Sequence, residues 1–164
     1  MAFQNILVVC VGNICRSPMA EYFFKSNCPN HNIESAGLSA MVGHPADEKA
    51  IHCMNQFNID MRTHVAKQIT ASLIKQADLI LVMSNNQAQH IEKQWPFAKG
   101  KVFRLGHWQG QNVPDPYKHD QAFFDQSCQN IKLYVRNRVS YLSQEFRTPS
   151  RRKSFGWLCR NQRR

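Results

Sequence analysis

The chain has 164 residues, of which 43% are hydrophobic and 20% charged, as expected for a single globular domain. No apolar run approaches the roughly 20 residues that span a bilayer, and the N-terminus lacks the basic region and cleavage site of a signal peptide, so we expect a cytoplasmic protein with no membrane insertion. In such a compartment the six cysteines are expected to be reduced thiols rather than a disulfide framework. The net charge of +10 is unevenly distributed, because residues 148–164 carry six basic side chains and no acidic one.

Strand-like and helix-like segments alternate along the first 147 residues. In chain order they are a strand at 5–9, a helix capped by Ser17, a strand at 32–35, a helix at 46–57, a helix at 70–77 capped by Thr70, a strand at 78–83, a helix at 84–95, a strand at 101–105, a Gly/Pro-rich loop at 106–119 and a helix at 120–146. This alternation predicts an α/β fold of three layers, in which a four-stranded parallel sheet has helices on both faces.

The segment CVGNICRS, at 10–17, connects the first strand to the first helix. Gly12 is expected to adopt backbone angles that a side chain would forbid, and Asn13 tolerates left-handed geometry. Loop amides and a helix N-terminus together bind anions, and the planar guanidinium of Arg16 can hold two phosphate oxygens. The segment therefore predicts a phosphate-binding loop directly after the first strand.

Cys10 lies at the base of this predicted loop. The donors that hold an oxyanion also favour a thiolate, and the hydroxyl of Ser17 could donate to the sulfur as well. The arrangement indicates a nucleophile aimed at a bound phosphorus atom. The alternative is a buried cysteine at a strand end with an incidental Arg16, since a C-x5-R pattern alone is weak.

Asp115 is the candidate proton donor, in the sequence VPDPY of the loop at 106–119. A tyrosyl leaving group, with a pKa of about 10, needs such a donor at neutral pH. The flanking prolines restrict the carboxyl group, and Tyr117 and Lys118 could line the mouth of the site. An isolated Asp-Pro sequence is otherwise typical of a turn.

Four segments carry a resemblance to a known family: VCVGNICRSPMAE at 9–21, ESAGLSAMVGHPAD at 34–47, DLILVM at 78–83 and GHWQGQNVPDPY at 106–117. Over residues 1–147 the chain resembles the low-molecular-weight protein tyrosine phosphatases, most closely the bacterial branch associated with exopolysaccharide tyrosine kinases. The resemblance implies hydrolysis of phosphotyrosine through a cysteinyl-phosphate intermediate, without a cofactor or a metal. It also implies that the partner is an autophosphorylating tyrosine kinase controlling exopolysaccharide or capsule production, and that the enzyme is a monomer or weak dimer.

The resemblance also implies roles for individual residues. Cys10 would be the nucleophile, Arg16 the phosphate clamp and Asp115 the general acid. Ser17 would donate to the thiolate, Ser35 and His64 would support the loop around Asn13, and Cys15 would protect Cys10 from over-oxidation by forming a reversible disulfide. The expected substrate contacts are Val11, Gly12, Asn13, Ile14, Cys15, Ser17, Leu38, Met41 and Tyr117.

The same residues argue against several other functions. A thiol-linked arsenate reductase would need further cysteines after the strand at 78–83, and residues 84–92 contain none. An inactive phosphotyrosine reader would be expected to have lost Cys10 or Asp115. A nucleotide-binding P-loop would need a GK[ST] sequence, and no pair of histidines has the spacing of a metal site. Cys28, Cys53 and Cys128 are expected to be packing residues, as is Trp108, although Trp108 could also reach the rim of the site.

Residues 148–164 are predicted to form a flexible basic tail, separate from a domain at 1–147. Such a tail can attract nucleic acid, anionic lipid or an acidic protein. No nucleic-acid-binding motif surrounds its two aromatic residues, Phe155 and Trp157, so we do not expect nucleic acid to be a partner.

Overall fold

The computed structural model describes residues 3–145, with side chains through residue 142. The elements are β1 (Asn5–Cys10), α1 (Arg16–Asn27), β2 (Asn32–Gly37), α2 (Glu48–Asn55), α3 (Ala71–Gln76), β3 (Leu79–Val82), α4 (Asn85–Gln94), a short 3-10 helix (Pro96–Ala98), β4 (Val102–Arg104) and α5 (Gln121–Glu145). Residue 146, the predicted end of the last helix, and the predicted tail at 148–164 lie outside the described residues.

The four strands form one parallel sheet in the order β2-β1-β3-β4. Val8 at the middle of β1 pairs with Ser35 of β2 on one side and with Leu81 of β3 on the other. The chain therefore moves to one side of β1 for β2 and to the other side for β3. Ligands bind to such sheets beside the carboxyl end of the strand at this reversal, and here that strand ends at Cys10.

Helices cover both faces of the sheet, because the buried strands are apolar on both faces. Ile6 and Val8 of β1 face one core cluster, which contains α1, α2 and α5 side chains such as Phe24 and Phe124. Leu7 and Val9, which alternate with them, face a second cluster with residues of α3 and α4. The predicted three-layer fold is thus confirmed, and no helix within residues 3–145 is long and apolar enough to cross a membrane.

The start of α1 differs from the prediction. The helix begins at Arg16, and Cys15 occupies the N-cap position without a side-chain cap hydrogen bond. The prediction that Ser17 caps this helix is therefore wrong, because its hydroxyl is used by Cys10 and Asn13 instead. Thr70 does cap α3 as predicted, since its side chain accepts a hydrogen bond from the backbone N–H of Leu73.

Candidate active site

A cavity of about 170 Å³ opens at the carboxyl edge of the sheet. Three loops meet there: the one between β1 and α1, the one after β2 and the one after β4. The side chains and backbone that line it are Cys10, Val11, Gly12, Ile14, Cys15, Arg16, Ser39, Met41, Asp115 and Tyr117. The structure thus brings together the predicted phosphate-binding loop, the predicted general acid and, from outside that loop, two of the predicted substrate contacts, Met41 and Tyr117.

The loop after β1 turns its carbonyl groups away from this cavity. Five consecutive carbonyls accept hydrogen bonds from groups outside the loop: Cys10 O from Leu38 N (2.9 Å), Val11 O from Ser39 N (3.0 Å), Gly12 O from Met41 N (3.0 Å), Asn13 O from His64 Nε2 (2.7 Å) and Ile14 O from Asp47 N (2.9 Å). In a trans peptide the following N–H points the opposite way, so these amides face the cavity. Within the described residues, nothing accepts the N–H groups of Gly12, Ile14 or Cys15. They form a nest of donors for an anion.

Asn13 holds this loop in shape. Its φ of 57° lies in the left-handed region, as the sequence predicted for this residue. Its side-chain Nδ2 donates to Ser17 Oγ and to Ser35 Oγ, each at 2.9 Å, and its Oδ1 accepts from the backbone N–H of Lys67 at 2.9 Å. Both amide hydrogens and the amide oxygen are therefore engaged inside the protein.

The sulfur of Cys10 is surrounded by donors. Ser17 Oγ lies 2.9 Å from Cys10 Sγ, and the backbone N–H of Asn13 donates to the same sulfur at 3.3 Å. Because Ser17 Oγ already accepts from Asn13, its hydroxyl hydrogen is available for the sulfur. These donors stabilise a negative charge on Cys10, whose residue is almost completely buried.

A second set of polar contacts, made by Ser35, His64 and Glu21, supports Asn13 and the loop around it. Ser35 accepts from Asn13 and donates its own hydrogen to the buried carboxylate of Glu21. His64 donates from Nε2 to Asn13 O, since a carbonyl can only accept, and its Nδ1 lies 4.0 Å from Glu21 Oε2. The structure thus places Ser35 and His64 against the loop, as the resemblance implied, and adds Glu21.

Arg16 connects the loop to the candidate acid. It is only 5% exposed, and its Nη2 lies 2.6 Å from Asp115 Oδ2 while its Nη1 donates to Val113 O at 3.1 Å. Its Nε is buried and has no hydrogen-bond partner among the described residues. An unpaired buried donor is costly, so the guanidinium is ready for an anion that enters the cavity.

Asp115 also has the turn-forming contact that the sequence allowed. Its Oδ1 accepts from the backbone N–H of Tyr117 at 3.1 Å, and its side chain is about half exposed. The turn and the site are therefore compatible: one carboxylate oxygen fixes the loop, and the other faces Arg16.

Cys15 differs from Cys10 in its surroundings. Burial raises the pKa of the Cys15 thiol far above its ordinary value, and the negative charge of Asp47 raises it further. Cys15 is therefore protonated at neutral pH. The two loop cysteines are not equivalent, because among the described residues Ser17 and the N–H of Asn13 donate to the sulfur of Cys10 and no group donates to that of Cys15.

The structure differs from the expectations for Gly12 and Leu38, and for Trp108 the sequence left two positions open. Gly12 does not have a positive φ, and a Cβ there would make only ordinary contacts of 3.6 Å and more with Ile14 and Met41. Leu38 is not among the residues that line the cavity, because its half-buried side chain packs against the second core cluster, and Ser39 lines the cavity instead. Trp108 is absent from the lining of this cavity, and its ring packs against Arg138.

Two residues that position the site were not predicted from the sequence. Gly37 ends β2 where a Cβ would lie 2.5 Å from Val11 O, so only glycine allows the strand to approach the loop. Glu21 lies at the end of the segment at 9–21, and no role was predicted for it. The signal for Glu21 was a charged residue on the apolar face of α1, between Ala20 and Phe24.

Comparisons with known proteins agree with this geometry. Residues 5–148 match the family described as low molecular weight phosphotyrosine protein phosphatase. The low molecular weight protein-tyrosine-phosphatase Ptp of Acinetobacter johnsonii is 65% identical over 135 residues, which cover 82% of this chain and 95% of that protein.

Two solved structures share the fold over most of both chains. Vibrio vulnificus Wzb in complex with benzylphosphonate is 36% identical, with a TM-score of 0.82, over 85% of this chain and 99% of that one. A Cys-to-Ser mutant of the YwlE arginine phosphatase, with a phosphorylated active-site serine, is 31% identical, with a TM-score of 0.82, over 87% of this chain and 98% of that one. The chain therefore belongs to the low-molecular-weight protein-tyrosine phosphatases, a family of metal-independent hydrolases.

Proposed function

We propose that this phosphatase hydrolyses phosphotyrosine through a covalent cysteinyl phosphate, with Cys10 as the nucleophile. The observation that carries the proposal is the position of Cys10 Sγ, which receives hydrogen bonds from Ser17 and Asn13 at the base of a cavity that Arg16 and Asp115 also line. A phosphate in the nest would place its phosphorus in front of this sulfur, with the amide N–H groups around its oxygens.

In the first step, the Cys10 thiolate attacks phosphorus, and the bond from phosphorus to the tyrosyl oxygen breaks. The carboxylic acid of Asp115 gives its proton to the leaving phenolic oxygen. A bound phosphate dianion competes for the guanidinium of Arg16, which releases Asp115 from the ion pair seen at 2.6 Å and allows it to take up that proton. Arg16 and the amides then neutralise the transferred group.

In the second step, a water molecule attacks the phosphorus of the cysteinyl phosphate. The carboxylate of Asp115 now accepts the proton of this water, the S–P bond breaks, and Cys10 leaves as a thiolate with inorganic phosphate as the product. The phosphorylated serine in the YwlE mutant supports such an intermediate, since there a serine that replaces a cysteine carries the phosphate. The benzylphosphonate bound to Vibrio vulnificus Wzb supports an aromatic substrate.

The substrate ring would lie between the loops at the cavity mouth. Val11, Met41 and Tyr117 line this mouth and supply apolar surface for a phenyl ring. We propose as the partner an autophosphorylating bacterial tyrosine kinase that controls exopolysaccharide or capsule production, encountered in the cytoplasm. The support for this partner is the resemblance to the bacterial branch in the segments at 9–21 and 106–117.

Cys15 is proposed as the thiol that resolves oxidised Cys10. Peroxide converts the Cys10 thiolate into a sulfenic acid, the sulfur of Cys15 attacks the Cys10 sulfur and water leaves as the disulfide forms. A dithiol reductant then restores both thiols. In a Cys15→Ala variant, inactivation by peroxide should become much harder to reverse.

The test of the catalytic roles compares two substrates in the presence of EDTA. Cys10→Ser should abolish turnover of both p-nitrophenyl phosphate and a phosphotyrosine peptide. Asp115→Asn should slow the peptide reaction by roughly 10²- to 10⁴-fold but slow the nitrophenyl reaction less, because nitrophenolate leaves without needing a proton. Vanadate should inhibit the wild-type enzyme.

Two matched control variants distinguish the loss of a catalytic residue from general damage to the fold. Cys28→Ser changes a buried thiol outside the cavity, and Asp60→Asn changes an exposed carboxylate that pairs with Arg62. Both should keep wild-type turnover. Equal rates in Cys10→Ser and wild type would show that Cys10 is not the nucleophile. Equal losses on both substrates in Asp115→Asn would show that Asp115 is not the general acid. Faster hydrolysis of a phosphoarginine peptide than of the phosphotyrosine peptide would show that phosphotyrosine is not the preferred substrate.

A further inference from the structure

A second cavity of about 210 Å³ lies between β4, the start of the loop that follows it and the C-terminal half of α5. Its wall is largely apolar and aromatic and includes Leu79, Phe103, Trp108 and Leu142. In the described part of the chain it shares no lining residue with the active-site cavity, and its volume is larger. For comparison, a cavity of about 150 Å³ lined by apolar side chains holds a benzene molecule.

One cation lies within this apolar wall. Arg138 is only 5% exposed, and its guanidinium carbon lies 4.1 Å from the centre of the Trp108 ring and 5.7 Å from that of Phe103. Its Nη2 donates to the carbonyl of Arg104 at 2.8 Å. Among the side chains that the structure describes, through residue 142, none accepts a hydrogen bond from its buried Nε, and no carboxylate forms an ion pair with it.

A buried charge without a counter-ion is costly, because it has lost its water and gained no opposite charge. The cost is visible in Arg138 itself, since burial lowers the pKa of its guanidinium to about 10. Arg16 has the same signature, a buried guanidinium with an unpartnered Nε, and it lies in the cavity built for phosphate. The second cavity differs from the active-site cavity in its largely apolar walls, which favour a ligand that has an apolar group beside its anionic group.

We propose that this cavity binds a small aromatic carboxylate, with the carboxylate paired to Arg138 and the ring packed against the apolar wall beside Trp108. A guanidinium binds a carboxylate through two parallel hydrogen bonds, and one ring fits the volume. Residues 146–164 come directly after α5 in the sequence, and they contain no Asp or Glu side chain and several basic ones. A basic segment is repelled by a buried guanidinium, so charge favours a separate ligand.

The test is a titration of the full-length, ¹⁵N-labelled protein with phenylacetate, in the presence of saturating inorganic phosphate. Phosphate occupies the active-site cavity, so binding seen there is excluded. We expect saturable shifts of the indole N–H of Trp108 and of the Nε–H of Arg138. Phenylacetamide, the neutral counterpart of the same shape, should bind at least about tenfold more weakly, because it offers Arg138 no charge.

Two variants sharpen the result. Arg138→Gln should weaken phenylacetate binding at least about tenfold and leave the binding of phenylacetamide nearly unchanged. Arg62→Gln, which changes an exposed arginine elsewhere, should bind phenylacetate like the wild type. No saturable shift at millimolar phenylacetate, or equal binding of acid and amide, would overturn the proposal. The comparison of acid and amide uses the wild type alone, so it decides the matter even if Arg138→Gln does not fold.

Discussion

At the scale of single residues, Asn13 joins the backbone geometry of the loop to its hydrogen-bond network. Its left-handed φ turns the neighbouring amides towards the cavity, and its amide group orients Ser17 and Ser35. Ser17 in turn orients its hydrogen towards Cys10. One side chain thus sets both the shape of the anion nest and the orientation of a donor to its central sulfur.

Replacing Asn13 by Gly or by Ala separates these two contributions. Both variants lose the amide, so both should lose roughly 10- to 100-fold in kcat as Ser17 loses its partner. Only Ala also opposes the left-handed backbone, so Asn13→Ala should be less stable than Asn13→Gly by about 1 kcal/mol. Urea unfolding and steady-state rates measure the two effects. Wild-type kcat in Asn13→Gly would show that the network does not act on Cys10.

The raised pKa of Cys15 predicts selective alkylation within one loop. The thiolate is the reactive form, and the protonated form of Cys15 persists from neutral pH to about pH 9, above the ordinary pKa of a cysteine. Iodoacetate should therefore inactivate the native enzyme by modifying Cys10 and leave Cys15 unmodified over this range. Peptide mass spectrometry identifies the modified residue, and the urea-unfolded protein serves as the control in which both react. Comparable modification of both in the native state would contradict the assignment.

At the scale of elements, the sequence predicted what depends on local pattern. Apolar runs fixed the strands, and a cysteine after a strand with Asn13 and Arg16 beyond it indicated the anion site. The contribution of Gly37 was not predictable, because it depends on Val11 of another element. Glu21 had a local signal, as a charged residue on the apolar face of α1, but no local pattern reveals its partners Ser35 and His64. The orientation of Leu38 was not predictable for the same reason, because its side chain packs against the core cluster beneath α3 and α4.

The close approach of β2 to the loop makes Gly37 a structural determinant of the site. In Gly37→Ala, the new Cβ would lie 2.5 Å from Val11 O and 2.9 Å from Ala40, so strand and loop must separate. We expect a loss of about 1–3 kcal/mol in the free energy of unfolding, with a fall in kcat. Gly12→Ala is the matched control for stability, because its Cβ meets only ordinary contacts. Equal urea midpoints for the two variants would refute the steric argument.

At the scale of the whole molecule, the loop after β4 connects the two cavities. Its first residues, His107 and Trp108, line the second cavity, and Asp115 and Tyr117 line the active site. Arg104 ties the middle of the loop down, since its Nη1 donates to Gly110 O at 3.3 Å and to Asn112 Oδ1 at 3.2 Å. The chemistry at one edge of the sheet thus depends on a segment whose other end is anchored beside β4 and α5.

His107 makes the stability of this anchor depend on pH. Burial lowers its pKa, and the positive charges of Arg138 and Arg104 lower it further, so the folded protein keeps a neutral imidazole where the unfolded chain, with a pKa of about 6.5, takes up a proton. The unfolded state therefore binds more protons as the pH falls below about 6.5, and the free energy of unfolding decreases until the folded pKa is passed. In His107→Gln, this part of the decrease should disappear, which urea unfolding at a series of pH values would show as a flatter profile. His90→Gln, at an exposed position on α4, should keep the wild-type slope, and a wild-type slope in His107→Gln would mean that this histidine does not contribute.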